Sequence, residues 1–372
     1  MVEWKKLGDL LDYEQPTSYL VNSTEYDESY DVPVLTAGQS LLLGYTNETE
    51  GIYQASKTNP TIIFDDFTTS FHWIDYKFKV KSSAMKMLRP KKDVNFRYVY
   101  YAMLGINFVP GGHQRHWISK YSNLEIPIPS LSEQQHIVSI LDTFTSSISN
   151  LKQQIEERRK QYEYERDRLL DLEGKDGVEM KKLGEVCEIK GRIGFRGYTR
   201  DDQVAKGDGA ISLSPGNIVE GKMDYNGCTY ITWKKYNESP EIMTFNGDVL
   251  FCKTGSTVGK VAMVDNLPCE ATINPQLVVL KKITENPKFL KHSLGTFRIQ
   301  SIVKRLAGVG SVPNISQEKL GNLEILFPSL STQSHIVSIL DTFEASIRNL
   351  EGQLALREKQ YEYYRNQLLT FD

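Results

Sequence analysis

The chain has 372 residues and a nearly balanced charge, 44 Lys and Arg against 47 Asp and Glu, net −3. At about 150 residues per domain, that length makes two or three domains, each able to bury its own core. A mean hydropathy of −0.39 and the lack of any apolar run of about 18 residues exclude a membrane span. Met1–Lys6 has no secretory pattern, and Cys187, Cys228, Cys252 and Cys269 are too scattered for a disulfide framework, so a cytoplasmic protein is expected.

Residues 1–130 read as a first globular domain of mixed α/β type. Short β-branched and aromatic runs, Thr61–Phe64 and Phe71–Ile74, lie between turn signals such as Pro110-Gly111-Gly112, and a helix is expected near 95–105. Charge divides this domain: residues 1–66 carry net −9 and residues 67–130 net +7. A basic stretch in an acidic chain suits a phosphate-facing stripe, with an ordinary solvated surface as the competing reading.

Residues 131–174 read as one long helix. Pro129 precedes it, and Ser132 with Gln135 has the spacing of a capping box. Ile137, Leu141, Phe144, Ile148, Leu151, Ile155 and Tyr162 then follow at steps of four and three (one turn is skipped), broken by Arg158. Such a seam predicts a coiled coil, and about 40 residues at ~1.5 Å each make a rod of about 60 Å. Glu173–Gly177 reads as a linker.

Residues 175–330 read as a second mixed domain. Asp248–Cys252 and Gln276–Leu280 look like buried strands, and 287–306 looks helical. Lys190, Arg192, Arg196 and Arg200 form a basic run interleaved with Phe195 and Tyr198. Residues 331–372 return to the long-helix pattern, with Ile336, Leu340, Phe343, Ile347, Leu350, Leu354 and Tyr361 broken by Arg357.

The chain is thus written twice. SNLEIPIPSLSEQQHIVSILDTF at 122–144 recurs as GNLEILFPSLSTQSHIVSILDTF at 321–343, an offset of 199. Trp4-Lys5-Lys6-Leu7-Gly8 echoes in Met180-Lys181-Lys182-Leu183-Gly184 at an offset of 176. Each apolar stripe needs cover, and the other stripe supplies it. The expected architecture is α/β in the α+β sense: two dissimilar mixed domains joined by two helices in an antiparallel coiled coil, with pseudo-two-fold symmetry. DNA readers of this kind place their heads about one helical turn, ~34 Å, apart. Unlike heads would read a split, asymmetric site.

Catalytic signatures are missing. Asn59-Pro60-Thr61, Asn274-Pro275-Gln276 and Asn286-Pro287-Lys288 lack the second proline of an amino-methyltransferase loop. Gly255–Val261 mimics a phosphate loop but has three intervening residues instead of four and ends in Val261, not Ser or Thr. It reads as a turn whose glycines permit close backbone approach. His113-x-x-His116 has no Cys or carboxylate cluster beside it, and Asp65-Asp66 lacks a following Glu-x-Lys. No metal or cofactor is expected in this chain.

The plan of variable domain, shared helix, variable domain, shared helix resembles the specificity subunit of bacterial and archaeal type I restriction-modification systems. The resemblance is carried by residues 129–142 and their copy at 328–341, by Lys181–Val186, Gly247–Leu250, Lys253–Val261 and Ser311–Ser316, and by Gly111–His116 in the corresponding place of the first domain. It spans essentially the whole chain. It implies two target recognition domains, each reading half of a split site in double-stranded DNA. It also implies that the shared helices dock two methyltransferase subunits, which bind S-adenosylmethionine and methylate adenine N6. A translocating endonuclease subunit can join them, and this chain is then no enzyme.

Base edges are read by Arg, Lys, Asn or Gln, and phosphates by cations and backbone donors. The candidates in the first domain are Gln114, Arg115, His116 and Lys120, with Lys77, Lys79 and Lys81 on phosphate. In the second they are Arg192, Arg196, Tyr198 and Arg200, with Lys253, Lys304 and Arg305. A non-catalytic coiled-coil scaffold, spacing two protein- or ligand-binding heads, is the alternative.

Overall fold

A proline followed by a serine opens each long helix. In the computed structural model these helices run Leu131–Leu169 and Leu330–Leu369. The structure describes residues 2–371 except Gln39, Lys92, Asp93, His113, 193–197, Val309 and Ser311. Ser130 Oγ accepts from the Glu133 amide (3.3 Å), and Ser329 Oγ from that of Thr332 (3.3 Å). The cap is therefore the serine after each proline, which corrects the expected Ser132–Gln135 box: Ser132 already lies inside the first turn. Contacts divide the chain into two compact units, Met1–Lys152 with Gly352–Asp372, and Gln153–Glu351.

In the first unit, Leu11–Glu14, Met85–Pro90, Thr61–Asp65 and Phe71–Ile74 form an antiparallel sheet in that spatial order. Both faces are covered, which is why Thr61–Phe64 is unbroken by polar residues. Ile62, Phe64 and Leu88 face a core shared with the helix Phe96–Leu104. Ile63, Met85 and Met87 face a second core with Tyr53, Phe78 and Val80. Ile137, Val138 and Leu141 of the first long helix join the first core, and Tyr361, Leu368 and Leu369 of the second pack against it. Further along, Phe144 stacks on Tyr364 (5.2 Å between centroids), and Lys152 pairs with Glu358 at 3.1 Å. Rising numbers meet falling ones, so the helices run antiparallel here.

The second unit repeats this plan with different residues. Glu188–Gly191, Leu277–Lys281, Val249–Cys252 and Val261–Met263 form an antiparallel sheet of the same spatial order. A separate five-stranded sheet includes Gly209–Leu213. The helix expected at 287–306 is two, Pro287–Leu294 and Phe297–Ala307, because Gly295 ends the first and Thr296 caps the second. The long helices are again antiparallel, with Arg159 on Glu351 (2.8 Å) and Tyr162 near Glu344 (3.4 Å).

All fourteen predicted seam residues are buried or half-buried. The two arginines that interrupt the seams have a defined role. In the first unit the Arg357 guanidinium lies over the Phe144 ring (5.6 Å), and in the second Arg158 lies over Phe343 (6.0 Å). Both members of one pair are 199 positions from those of the other, so one cation–π contact is made twice.

Each long helix is bolted to its domain by a buried glutamine. Gln134, 1 % exposed, donates through Nε2 to Pro129 O (2.8 Å) and accepts through Oε1 from the Asn95 amide (3.0 Å). Asn95 caps Phe96–Leu104. Gln333 donates to Pro328 O (2.9 Å) and Glu285 Oε2 (2.7 Å), and accepts from the Asn286 amide (3.0 Å), the cap of Pro287–Leu294. The two sequence echoes meet beside these bolts. Glu3–Lys6 pairs with Glu125–Ile128, and Glu179–Lys182 with Glu324–Phe327. Replacing either glutamine with alanine strands a cap amide in the core. We expect Gln134→Ala and Gln333→Ala each to cost about 1–3 kcal/mol, read as a lower urea midpoint at unchanged slope.

Candidate nucleic-acid interface

Three loops meet at one backbone position in each unit. In the first, the strand Thr61–Asp65 ends at Asp66, whose amide donates to Ala84 O (3.0 Å) and whose carbonyl accepts from the His116 amide (2.8 Å). In the second, Val249–Cys252 ends at Lys253, whose amide donates to Gln276 O (2.8 Å) and whose carbonyl accepts from the Ile315 amide (2.9 Å). His116 and Ile315 are 199 positions apart, so the repeat register reaches upstream of the similar sequence. The backbone connections are the same, while the side chains around them differ. Arg115 in one unit stands where Asn314 stands in the other.

Around the first junction Gln114, Arg115 and Lys120 are exposed, and so is Lys81, three residues before Ala84. Lys77 is exposed ahead of the short strand Lys79–Val80. Around the second junction Lys253 is half-buried, while Lys304 and Arg305 are exposed on the last turn of Phe297–Ala307. That helix end is tied to the junction by the Asn314 amide on Ala307 O (3.2 Å). Arg200 is exposed and Tyr198 half-buried.

Three expected contacts are corrected. Lys79 is 2 % exposed, with its ammonium held by Glu48 Oε2 (2.9 Å) and Glu50 O (2.6 Å). It neutralises the half-buried Glu48 carboxylate and does not face outward. His116 is fully buried, edge-on to Phe108. Arg192 is buried too, with Nε donating to Ile273 O (2.8 Å) and its guanidinium over the Tyr198 ring (5.6 Å). Desolvation lowers its pKa from the usual arginine value. Arg196, like Phe195, lies outside the described residues.

Sequence reasoning passed over uncharged groups at the second junction. Thr254 donates its hydroxyl to Asn314 Oδ1 (2.6 Å), and Asn314 and Gln276 are exposed. Extending the 199-residue register past residue 122 would have placed Asn314 opposite Arg115. The glycine-rich turn has an internal use. Gly259 has φ +97° and leaves no room for a Cβ against Gln300, whose Nε2 donates to Gly259 O (2.9 Å).

Elsewhere in the second unit a cleft of about 460 Å³ is walled by Arg159, Arg166, Lys260, Lys291 and His292. Its cations are occupied: Arg159 on Glu220 and Glu351, Arg166 on Asp167, Lys291 on Glu344, and Lys260 on the Ile218 carbonyl. Burial, with nearby Lys291 and Arg166, lowers the His292 pKa to about 2, so its ring is neutral. Among the described residues no three His, Cys, Asp or Glu side chains gather as a metal site, and no helix is long and apolar enough to cross a membrane.

The doubled domain-and-helix plan with its paired loop junctions defines an internally duplicated protein. A family model for the type I restriction modification DNA specificity domain matches residues 1–158 and again 175–356, and the chain belongs to that family. It is a specificity subunit, the non-catalytic component of such systems. It is 39% identical, over 389 aligned positions, to the type I restriction enzyme EcoR124I/EcoR124II specificity subunit of Escherichia coli, covering 100% of this chain and 94% of that protein. A putative type I restriction enzyme specificity subunit of Haemophilus influenzae is 26% identical, covering 100% and 96%. The crystal structure of a type I restriction-modification S subunit from M. genitalium shares the fold, with TM-score 0.61 at 15% identity, covering 100% and 97%. So does a chain from a structure of type I restriction-modification complex assembly and conformational transition, TM-score 0.57 at 16% identity, covering 100% and 98%.

The pair of buried Lys79 and half-buried Glu48 makes a pH prediction. Burial pushes the Glu48 carboxyl up, but Lys79 and the Ser23 and Asn22 amides outweigh it and bring the pKa down to about 2 from 4.5. A depressed carboxyl stabilises the fold above its unfolded pKa and loses that contribution as pH falls toward the folded value. Urea unfolding from pH 5 to pH 2 should show this loss, and Glu48→Gln should be less stable at pH 5 with a flatter acid dependence.

Proposed function

We propose that the chain reads a split, asymmetric DNA sequence, one half with each unit. The carrying observation is the pair of loop junctions, alike in backbone and unlike in side chains. A shared scaffold that changes only its exposed groups suits two different half-sites. In the first unit Gln114 and Arg115 face base edges, with Lys120, Lys81 and Lys77 on phosphates. In the second, Asn314 and Gln276 take the base-reading part, with Lys253, Arg200, Lys304 and Arg305 around them. Arginine suits the acceptor pair of guanine, and Asn or Gln the donor–acceptor edge of adenine.

The long helices supply the spacing and the docking surface for two methyltransferase subunits. S-adenosylmethionine binds in those partners, which methylate adenine N6 within each half-site. A translocating endonuclease subunit joins when unmethylated DNA is cut. The E. coli relative is named as a restriction enzyme's specificity subunit, which supports this reading. The work is cytoplasmic, where such complexes meet the chromosome.

Footprinting of the assembled complex tests it. Arg115→Ala should weaken protection over one half-site by about 5- to 150-fold in affinity, equivalent to ~1–3 kcal/mol, and Asn314→Ala over the other. Binding should also fall steeply with salt through counterion release. Salt-independent retention, or none, would favour the scaffold reading. Equal loss over both halves with either variant would exclude one-unit, one-half recognition.

A further inference from the structure

In the first unit, a buried ion pair underlies the loop assigned to base reading. Asp66 and Lys86 are 1 % and 0 % exposed, and Asp66 Oδ2 lies 3.1 Å from Lys86 Nζ. The ammonium also donates to Gln15 Oε1 (3.3 Å) and sits over the Tyr13 ring (5.3 Å). The other carboxylate oxygen, Oδ1, accepts from the Trp117 amide (2.8 Å), while the Asp66 carbonyl accepts from that of His116. Trp117 is buried against Phe64, 5.1 Å between centroids. Two anchored residues thus separate exposed Gln114-Arg115 from exposed Lys120.

Holding the core does not require this pair. An apolar pair of similar size is often as stable as a buried ion pair, or more so. What an apolar pair lacks is an acceptor for the Trp117 amide. The second unit makes the contrast plain. There the same backbone position is Lys253, and the side-chain tie among the described residues is Thr254 on Asn314. The backbone bond is common to both units, but the side-chain locks differ, and the buried ion pair is the first unit's.

We infer that Asp66 is a positioning residue for recognition by the first unit: it fixes where the Gln114–Lys120 loop is held, and Lys86 neutralises its buried charge. The inference rests on that loop being a DNA contact. It makes half-site specificity depend on a residue that touches no DNA.

Two double variants of the full chain, assembled with its methyltransferase partners, test it. D66L/K86M removes the charges and the acceptor together. D66N/K86M removes the charges but keeps an acceptor for the Trp117 amide. Amide exchange at 116–121 reports loop anchoring, and selection from a library randomised in the first unit's half-site reports base preference. The expected result is exchange and loss of base discrimination both about tenfold, or ~1.4 kcal/mol, in D66L/K86M, with D66N/K86M close to the parent. Unchanged exchange or unchanged base preference in D66L/K86M overturns the inference. So does loss of preference in D66N/K86M with its loop still protected, or loss of cooperative unfolding in both variants. An R115A complex that selects the parent's bases overturns instead the assignment of this loop to DNA.

Discussion

The structure depends on one buried junction, made twice. A glutamine in the first turn of each long helix turns inward and accepts from the backbone amide of the asparagine whose side chain caps a domain helix. Gln134 holds Asn95, and Gln333 holds Asn286. An amide side chain suits the place because it donates and accepts at once. Its own helix start needs a donor toward Pro129 or Pro328, and the neighbouring cap needs an acceptor. With both satisfied, little freedom remains between helix and domain. The terminal ribbons, Glu3–Lys6 and Glu179–Lys182, close beside the same junction. The shared sequence blocks are therefore partners in space, although they lie far apart in the chain.

Downstream of that constraint the domains are free to differ. The loops at Asp66 and Lys253 use the same backbone bonds, and those bonds place no demand on side chains. Unlike exposed groups can then occupy one geometry: Arg115 in one unit, Asn314 in the other. The locks differ as well, a buried ion pair in the first and a Thr–Asn hydrogen bond in the second. A recognition protein gains from this separation, because a change of exposed residues leaves the scaffold untouched.

Charge was the weakest guide to the site. Lys77, Lys79 and Lys81 alternate in sequence, yet Lys79 is buried on Glu48 while Lys77 and Lys81 stay in solvent. Strand alternation would put residues two apart on one side, but the strand here is only Lys79–Val80, and nothing in a list of lysines says which of them has a carboxylate waiting. His116 and Arg192 were drawn inward for similar reasons, the first under Phe108 and the second onto the Ile273 carbonyl. The arginines in the seams went the other way. Arg158 and Arg357 interrupt the apolar stripes in sequence, and each covers a phenylalanine of the opposing helix.

By itself the sequence determined the doubled plan, the two long helices, their apolar faces and the family. All of these are periodic or repeated signals that survive without coordinates. The strands Thr61–Phe64 and Leu277–Leu280 were legible too, because burial on two faces leaves an uninterrupted apolar run. Only the tertiary structure decided the rest: Ser130 and Ser329 as caps, the break at Gly295, the glutamine junctions, and the meeting of Asp66 with His116 and of Lys253 with Ile315. Each of these is a hydrogen bond or ion pair between groups set in place by packing. A chain read in one dimension records which groups can pair, whereas burial and register choose which of them do.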